Sequence, residues 1–166
     1  MIKGVIIDFD QTIADTSRVE PYRKSKKWET IKNKYHEITL MPKVDYFLNY
    51  LNVNKYLVTI VSNAPRTKYL ESMLIHFNIE PDIVIGYEDT FSHKPHAEPM
   101  ILALNKMQLK PHEVISIGDQ INDVRAATKA NIKSVYYSKV NDLEENLNIG
   151  LVSIDYFEIT EFIKNI

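Results

Sequence analysis

The run Lys3-Gly4-Val5-Ile6-Ile7-Asp8-Phe9-Asp10-Gln11-Thr12 constrains this chain more than any other. Three apolar residues follow Gly4 and end abruptly at two carboxylates. An apolar run without polar alternation predicts a strand buried on both faces, as at the centre of a parallel sheet. Side chains alternate along a strand, so Asp8 and Asp10 share a side while Phe9 turns to the core. The carboxyl ends of such strands are where open α/β sheets place their ligand crevice. Two carboxylates about 5 Å apart, at an effective dielectric near 20, repel by roughly 3 kcal/mol. The pair therefore calls for a cation beside it.

A length of 166 residues predicts one domain, residues 1–166, with room for a small insertion. With 45% hydrophobic and 25% charged residues the chain has the apolar mass for a core. A net charge of −2 gives no global attraction to nucleic acid or anionic membrane. The chain has no cysteine, which excludes disulfides, thiolate nucleophiles and thiolate zinc sites. No run has transmembrane length, and the apolar stretch after Lys3 is too short and too soon acidic for a signal peptide. A cytoplasmic protein with no membrane partner is the expectation.

Further along, residues 18–36 hold seven cations (Arg18, Arg23, Lys24, Lys26, Lys27, Lys32, Lys34) against Glu20 and Glu29. Trp28, Ile31 and Tyr35 recur at helical spacing, and Pro21 stands near a helix start. Pro42 opens a helix with Val44, Phe47, Leu48 and Leu51 as its apolar stripe. Strands are expected at 56–61, 82–86, 114–118 and 133–137, with helices through Tyr69 to Phe77, at 97–107 and at 122–129. Beyond Asn141 the pattern offers a short helix, an edge strand near 151–154 and a final amphipathic helix. Two helices run into Asn-Ile, at Asn78 and Asn131, and Asn is second to Gly as the left-handed residue that ends a helix. Strands alternating with helices predict parallel βαβ units, hence a three-layer α/β/α sandwich around a central parallel sheet.

Right-handed crossovers point all the strand ends one way. Asp8, Asp10, Ser62, Lys94, Asp119 and Asp123 should then converge, although they span more than a hundred residues. Four carboxylates and a lysine make a site for a hard cation, best suited to Mg²⁺. A metal beside a carboxylate nucleophile, with a lysine and a hydroxyl to hold phosphoryl oxygens, is an assembly for phosphoryl transfer.

In order, Asp8-Phe9-Asp10-Gln11-Thr12, Ser62-Asn63, Lys94-Pro95 and Gly118-Asp119-Gln120-Ile121-Asn122-Asp123 resemble the four motifs of the haloacid dehalogenase superfamily. The last two are especially similar to its phosphoglycolate-phosphatase-like branch. The resemblance implies a Rossmann-like core and a Mg²⁺-dependent phosphatase. Asp8 would be the nucleophile and a metal ligand. Asp10 would be the acid–base, its carbonyl also on the metal. Ser62 and the Asn63 amide would hold the phosphoryl group, with Thr12 supporting the first loop among this phosphate-binding set. Lys94 would neutralise the nucleophile and the transferring group. Asp119 would ligate Mg²⁺ directly, and Asp123 would do so through water or fix Lys94. Relatives that cleave carbon–halogen or carbon–phosphorus bonds lack an acid two residues after the nucleophile, so Asp10 favours a phosphatase. Gln11 departs from the Gly more often found there, which touches the local turn.

Relatives of this branch carry a helical cap between the first two motifs. Here 54 residues separate Asp8 from Ser62, and 42–61 are needed for a helix and a strand. The remainder, about 15–41, predicts a very small basic helical cap. Small phosphorylated substrates are expected: nucleotides, sugar phosphates or metabolites. A polynucleotide-end phosphatase is the weaker nucleic-acid alternative, and a phospho-accepting signalling domain the non-enzymatic one. Receivers resemble the chain less, because their phosphorylated Asp follows the third strand and Asp82 precedes it. Trp28 reads first as an aromatic pinning a small helix to the body. The five histidines, including His93 and His96 beside Lys94, show no metal-ligand spacing.

Overall fold

The structure, a computed structural model, describes residues 1–140 and 146–166. In chain order the elements are β1 (Gly4–Ile7), β2 (Ala14–Asp15), α1 (Glu20–Lys24), α2 (Trp28–Lys32), β3 (Thr39–Leu40), α3 (Val44–Val53), β4 (Leu57–Val61) and α4 (Glu71–His76). There follow β5 (Ile83–Ile85), α5 (Glu98–Met107), β6 (Val114–Gly118), α6 (Ile121–Lys129), β7 (Lys133–Tyr136), β8 (Ile149–Val152) and α7 (Tyr156–Lys164). The short helix expected just after Asn141 falls outside the described residues.

Six parallel strands form one sheet in the order β5-β4-β1-β6-β7-β8. All four residues of β1 are buried, and Gly4 to Ile7 pair with Leu57 to Ile60 on one side and Val114 to Ile117 on the other. Val5, Ile7 and Phe9 join one core with Phe47 and Leu51 of α3, Met73 of α4 and Ile159 of α7. Ile6 faces the opposite core, with Met100 and Ala103 of α5 and Ala126 of α6. The three layers thus follow from the two-residue repeat of one strand.

From β1 the chain winds outward through β4 and β5, then crosses back to β6, β7 and β8. The loops leaving β1 and β6 therefore part company, and a crevice opens between them at the carboxyl edge of the sheet. Asp8 remains in line with the sheet, its N–H donating to Ile117 O at 2.9 Å. The chain then folds over the Phe9 carbonyl, which accepts from the N–H groups of Ile13 and Ala14. Gln11 sits in that turn at φ 62°, the left-handed region where Gly is at ease. A side chain there costs roughly 1–2 kcal/mol. With its amide oxygen turned toward them, Gln11 accepts from the N–H groups of Thr16 and Ser17, which offsets that strain.

The segment between Asp10 and α3 is bracketed by a two-residue antiparallel ladder, Ala14 with Leu40 and Asp15 with Thr39. That hairpin base was not foreseen. Between its strands lie α1 and α2, with Pro21 in the first turn of α1. Ile31 is fully buried, and Trp28 packs on Tyr69 with ring centroids 5.4 Å apart. The helix expected through Tyr69 begins as a π-helical turn, Arg66–Leu70, before α4. Asn78 and Asn131 do take left-handed φ, 53° and 59°, at the ends of α4 and α6.

Candidate active site

Of the eight site residues read from the sequence, Asp8, Asp10, Ser62, Asn63, Lys94 and Asp123 line the crevice, and Asp119 joins them beside Asp8 and Asp123. Lys94 is the hub: its side chain is 4% exposed, and its ammonium donates to Asp8 Oδ1 at 2.7 Å and Val61 O at 2.8 Å. Asp123 Oδ1 lies 2.5 Å from the same nitrogen. An ammonium has three protons, and three acceptors take them. Burial works to deprotonate Lys94, but Asp123 and Asp8 outweigh it and hold its pKa above the usual range.

Lys94 is aimed by Asn63. The Asn63 side chain donates to the Lys94 carbonyl at 2.9 Å and accepts from the Lys94 N–H at 3.1 Å. Its amide is thereby committed to the lysine loop, so a phosphate contact from Asn63 is left to its main-chain N–H. Ser62 is buried at the end of β4, and its Oγ accepts from the Ala64 N–H at 3.1 Å. That bond orients the oxygen and leaves the hydroxyl proton free to donate.

Thr12 stands elsewhere than a phosphate-binding assignment requires. It has no exposed surface; its hydroxyl points to Asp119 Oδ1 at 3.4 Å, and its carbonyl accepts from the Tyr156 hydroxyl at 2.7 Å. A side chain with no access to the crevice cannot touch substrate there, so Thr12 braces the first loop and Asp119 from beneath.

Asp8, Asp119 and Asp123 each offer an oxygen, all within 4.8 Å of one another. Burial, with Asp123 adding to it, raises Asp119 to about 6. Burial also raises Asp8, where Lys94 pulls back but Asp123 and Asp10 push further up. Four carboxylates share the site with two cations, Lys94 and Arg23, so full ionisation would leave two negative charges unbalanced. Three converging hard oxygen donors and that charge deficit suit one divalent cation such as Mg²⁺.

Gly118 makes this packing possible. A Cβ there would lie 2.5 Å from Asp123 Cβ and Cγ and 2.6 Å from its Oδ2. Asp123 is the third residue of α6, and its Oδ2 accepts from the Gln120 N–H at 3.0 Å, which closes the first turn. Gly118→Ala is expected to destabilise by about 1–3 kcal/mol through overpacking, with a matching drop in the denaturant midpoint. Full stability would mean that Asp123 can step aside at no cost.

Two contacts were not foreseen. Asp10 Oδ1 accepts from the Tyr69 hydroxyl at 2.7 Å, and Asp10 Oδ2 lies 2.8 Å from Arg23 Nη2. Burial raises the Asp10 pKa, while Arg23 and Tyr69 draw it back. Tyr69 read as a core aromatic, and only the general need of a buried hydroxyl for a partner could have signalled its role. Arg23 was one cation among seven.

Above these residues opens a cavity of about 640 Å³. Its floor is Asp8, Ser62 and Lys94, and Arg23, Lys24, Lys26, Trp28 and Lys68 line its wall. Lys27 is not among the lining residues. His93 stacks on Tyr87 at 3.9 Å and bonds Thr90, away from the acidic cluster.

Residues 19–137 match the family model described as haloacid dehalogenase-like hydrolase. The chain belongs to that family. It is similar to the phosphoglycolate phosphatase of Salmonella choleraesuis, 33% identical over 98 residues, 58% of this chain and 38% of that protein. It is also similar to the Escherichia coli phosphoglycolate phosphatase, 27% identical over 126 residues, 75% of this chain and 50% of that protein. The match thus spans half or less of these relatives' length. Among solved structures, the HAD phosphatase from Thermococcus onnurineus superposes with a TM-score of 0.84 at 17% identity, covering 98% of both chains. That likeness establishes the shared sandwich fold. Among the described residues no helix is long and apolar enough to cross a membrane.

Proposed function

We propose that the chain is a Mg²⁺-dependent phosphatase that hydrolyses a small phosphate monoester in the cytoplasm through an aspartyl-phosphate. The observation that carries the reading is the Lys94 ammonium held between Asp8 and Asp123, facing the cavity beside Ser62. The phosphoglycolate phosphatases it resembles supply the substrate class.

In this reading Asp8 attacks phosphorus with the oxygen that Lys94 leaves unpaired. The ester P–O bond breaks as the Asp8–phosphorus bond forms, and Asp10 hands its proton to the departing oxygen. Asp10 then takes a proton from the water that cleaves the aspartyl-phosphate. Ser62 Oγ and the Asn63 main-chain N–H hold phosphoryl oxygens, and Lys94 balances their charge. Bound between Asp8, Asp119 and Asp123, Mg²⁺ would offset the charge that develops on the transferring group. The segment at about 15–41 serves as a reduced cap within a single domain, with Arg23, Lys24 and Lys26 on the cavity. An open cavity with a basic wall would also admit a polynucleotide end.

The direct test is phosphate release from a panel of phosphorylated metabolites, with and without Mg²⁺. Release from at least one monoester, lost on chelation, is expected. No release from any ester in millimolar Mg²⁺ would sink the proposal.

Stability tests the metal site separately. Asp119 keeps a proton in the folded chain up to about pH 6 that the unfolded chain sheds near the ordinary value of 3.8. The folded state therefore binds more protons in that window, and stability falls as pH rises through it. Mg²⁺ favours the ionised carboxylates and should reverse the fall. In chelator the melting temperature is expected to drop between pH 4 and about 6, and millimolar Mg²⁺ should raise it by mass action on the folded state. Asp119→Ala should weaken the Mg²⁺ effect and lessen the fall with pH, the rest of which comes from the raised Asp8 and Asp10 carboxyls. A melt indifferent to Mg²⁺ at pH 7 would argue against a shared metal site.

A further inference from the structure

Arg23 touches the group that the proposed chemistry most needs to be free. It stands on α1, in the segment between the β2 and β3 strands, and reaches into the crevice to Asp10 Oδ2 at 2.8 Å. Its other terminal nitrogen donates to Thr16 Oγ1 at 3.0 Å. Tyr69 holds the second Asp10 oxygen at 2.7 Å. One Asp10 oxygen is thus hydrogen-bonded by Tyr69 and the other is ion-paired with Arg23. Asp10 Oδ2 is buried, with the guanidinium beside it and Tyr69 on Oδ1, so a leaving oxygen has no open approach to the carboxyl. Tyr69 is buried in the core at 1% exposure and is fixed there by Trp28 and Phe9. Arg23 is the more exposed partner of the two, on a five-residue helix at the cavity wall with its side chain 22% exposed.

What would draw Arg23 away is another anion. The acidic groups beside it on the wall are already engaged: Glu20 pairs with Lys24 at 2.7 Å, and Glu88 accepts from the N–H groups of Arg66 and Thr67 at 2.8 Å. Lys26 and Lys68 line the same cavity and make no ion pair among the described residues. The wall beyond the reacting phosphate is therefore cationic, and an anionic leaving group would find Arg23 within the same space.

Resting on the phosphatase reading above, we propose that Arg23 masks Asp10 in the resting chain and is drawn off it by a second anionic group on the substrate. Only phosphate esters that carry such a group then expose the acid that protonates the leaving oxygen. Arg23 is in this sense a specificity residue: it exchanges the Asp10 carboxylate for the substrate's own anion. The exchange replaces one charge-assisted contact by another, so it needs no further driving force than the cationic wall supplies.

Two esters with the same two-carbon frame separate this from a structural role: 2-phosphoglycolate, whose leaving group bears a carboxylate, and ethyl phosphate, whose leaving group does not. The wild-type chain is expected to favour 2-phosphoglycolate in kcat/KM by about a hundredfold or more, the scale of two charge-assisted contacts. Arg23→Ala should raise KM for 2-phosphoglycolate about tenfold and raise kcat for ethyl phosphate, since the mask is gone. Arg23→Lys, which keeps the charge, should restore much of the preference and guards against a misfolded alanine variant. Equal wild-type use of the two esters would overturn the inference. So would an equal loss of kcat on both in Arg23→Ala with KM unmoved, the signature of an arginine that merely holds Asp10 in place. Release from neither ester nor any other in the wild type would instead overturn the phosphatase reading, and this inference with it.

Discussion

Asp8→Asn is expected to lower phosphate release by roughly 10⁴-fold or more, the scale on which removing a covalent nucleophile acts. An amide oxygen is too weak a nucleophile to displace an alkoxide, and it is a poorer ligand for a hard cation. The same substitution should leave the fold intact or firmer. Burial and the neighbouring carboxylates Asp123 and Asp10 hold the Asp8 pKa up, so its charge is a burden on the folded state. Asparagine removes that charge and still offers Lys94 an acceptor in place of the 2.7 Å contact. In chelator the variant should therefore melt no lower than the wild type, while being nearly inactive in Mg²⁺. Substantial activity with an unchanged metal requirement would show that another group attacks phosphorus.

That split between stability and activity also explains which parts of this molecule were legible before its structure. The strands were, because burial on both faces leaves unbroken apolar runs such as Val5–Ile7 and 57–61. Their ends were marked by carboxylates that a buried strand does not tolerate, Asp8 and Asp119, and by the polar stop at Ser62-Asn63. Once the strands are parallel those residues must share an edge, and the structure brings them together. Asn78 and Asn131 signalled their left-handed turns by composition. Lys26, Lys43, Lys55 and Gln108 did not, since nothing in a lysine or glutamine announces a positive φ. The β2–β3 ladder spans two residues on each strand, too short for any alternation to register. Thr12 was misplaced among phosphate ligands because adjacency along the chain says nothing about depth, and its side chain lies wholly beneath the loop. The contacts on Asp10 come from Arg23 and Tyr69, on two different elements, and depend on how the insert docks. Side-chain partners of that kind are a property of packing, and no local pattern carries them.

Lys94→Met carries the largest expected loss of stability. Methionine has a similar volume, so little cavity is left, and the effect isolates the charge and its hydrogen bonds. Without the ammonium, Asp8 and Asp123 face each other in a buried site, and the Val61 carbonyl loses its 2.8 Å donor. Breaking a buried ion pair by removing one partner costs about 3–5 kcal/mol. Against a total stability of about 5–15 kcal/mol for a domain of this kind, that is a large fraction. The variant should unfold at a much lower denaturant concentration in chelator, and Mg²⁺ should recover part of the loss by neutralising the same carboxylates. Activity should not return with it, because a metal among Asp8, Asp119 and Asp123 does not replace the cation that balances the phosphoryl oxygens beside Ser62. A loss below about 1 kcal/mol, the range of exposed ion pairs, would mean that water reaches Lys94 in solution and that the hub is not desolvated. Recovery of both stability and turnover in Mg²⁺ would show that the lysine holds the carboxylates in place and takes no part in the phosphoryl step.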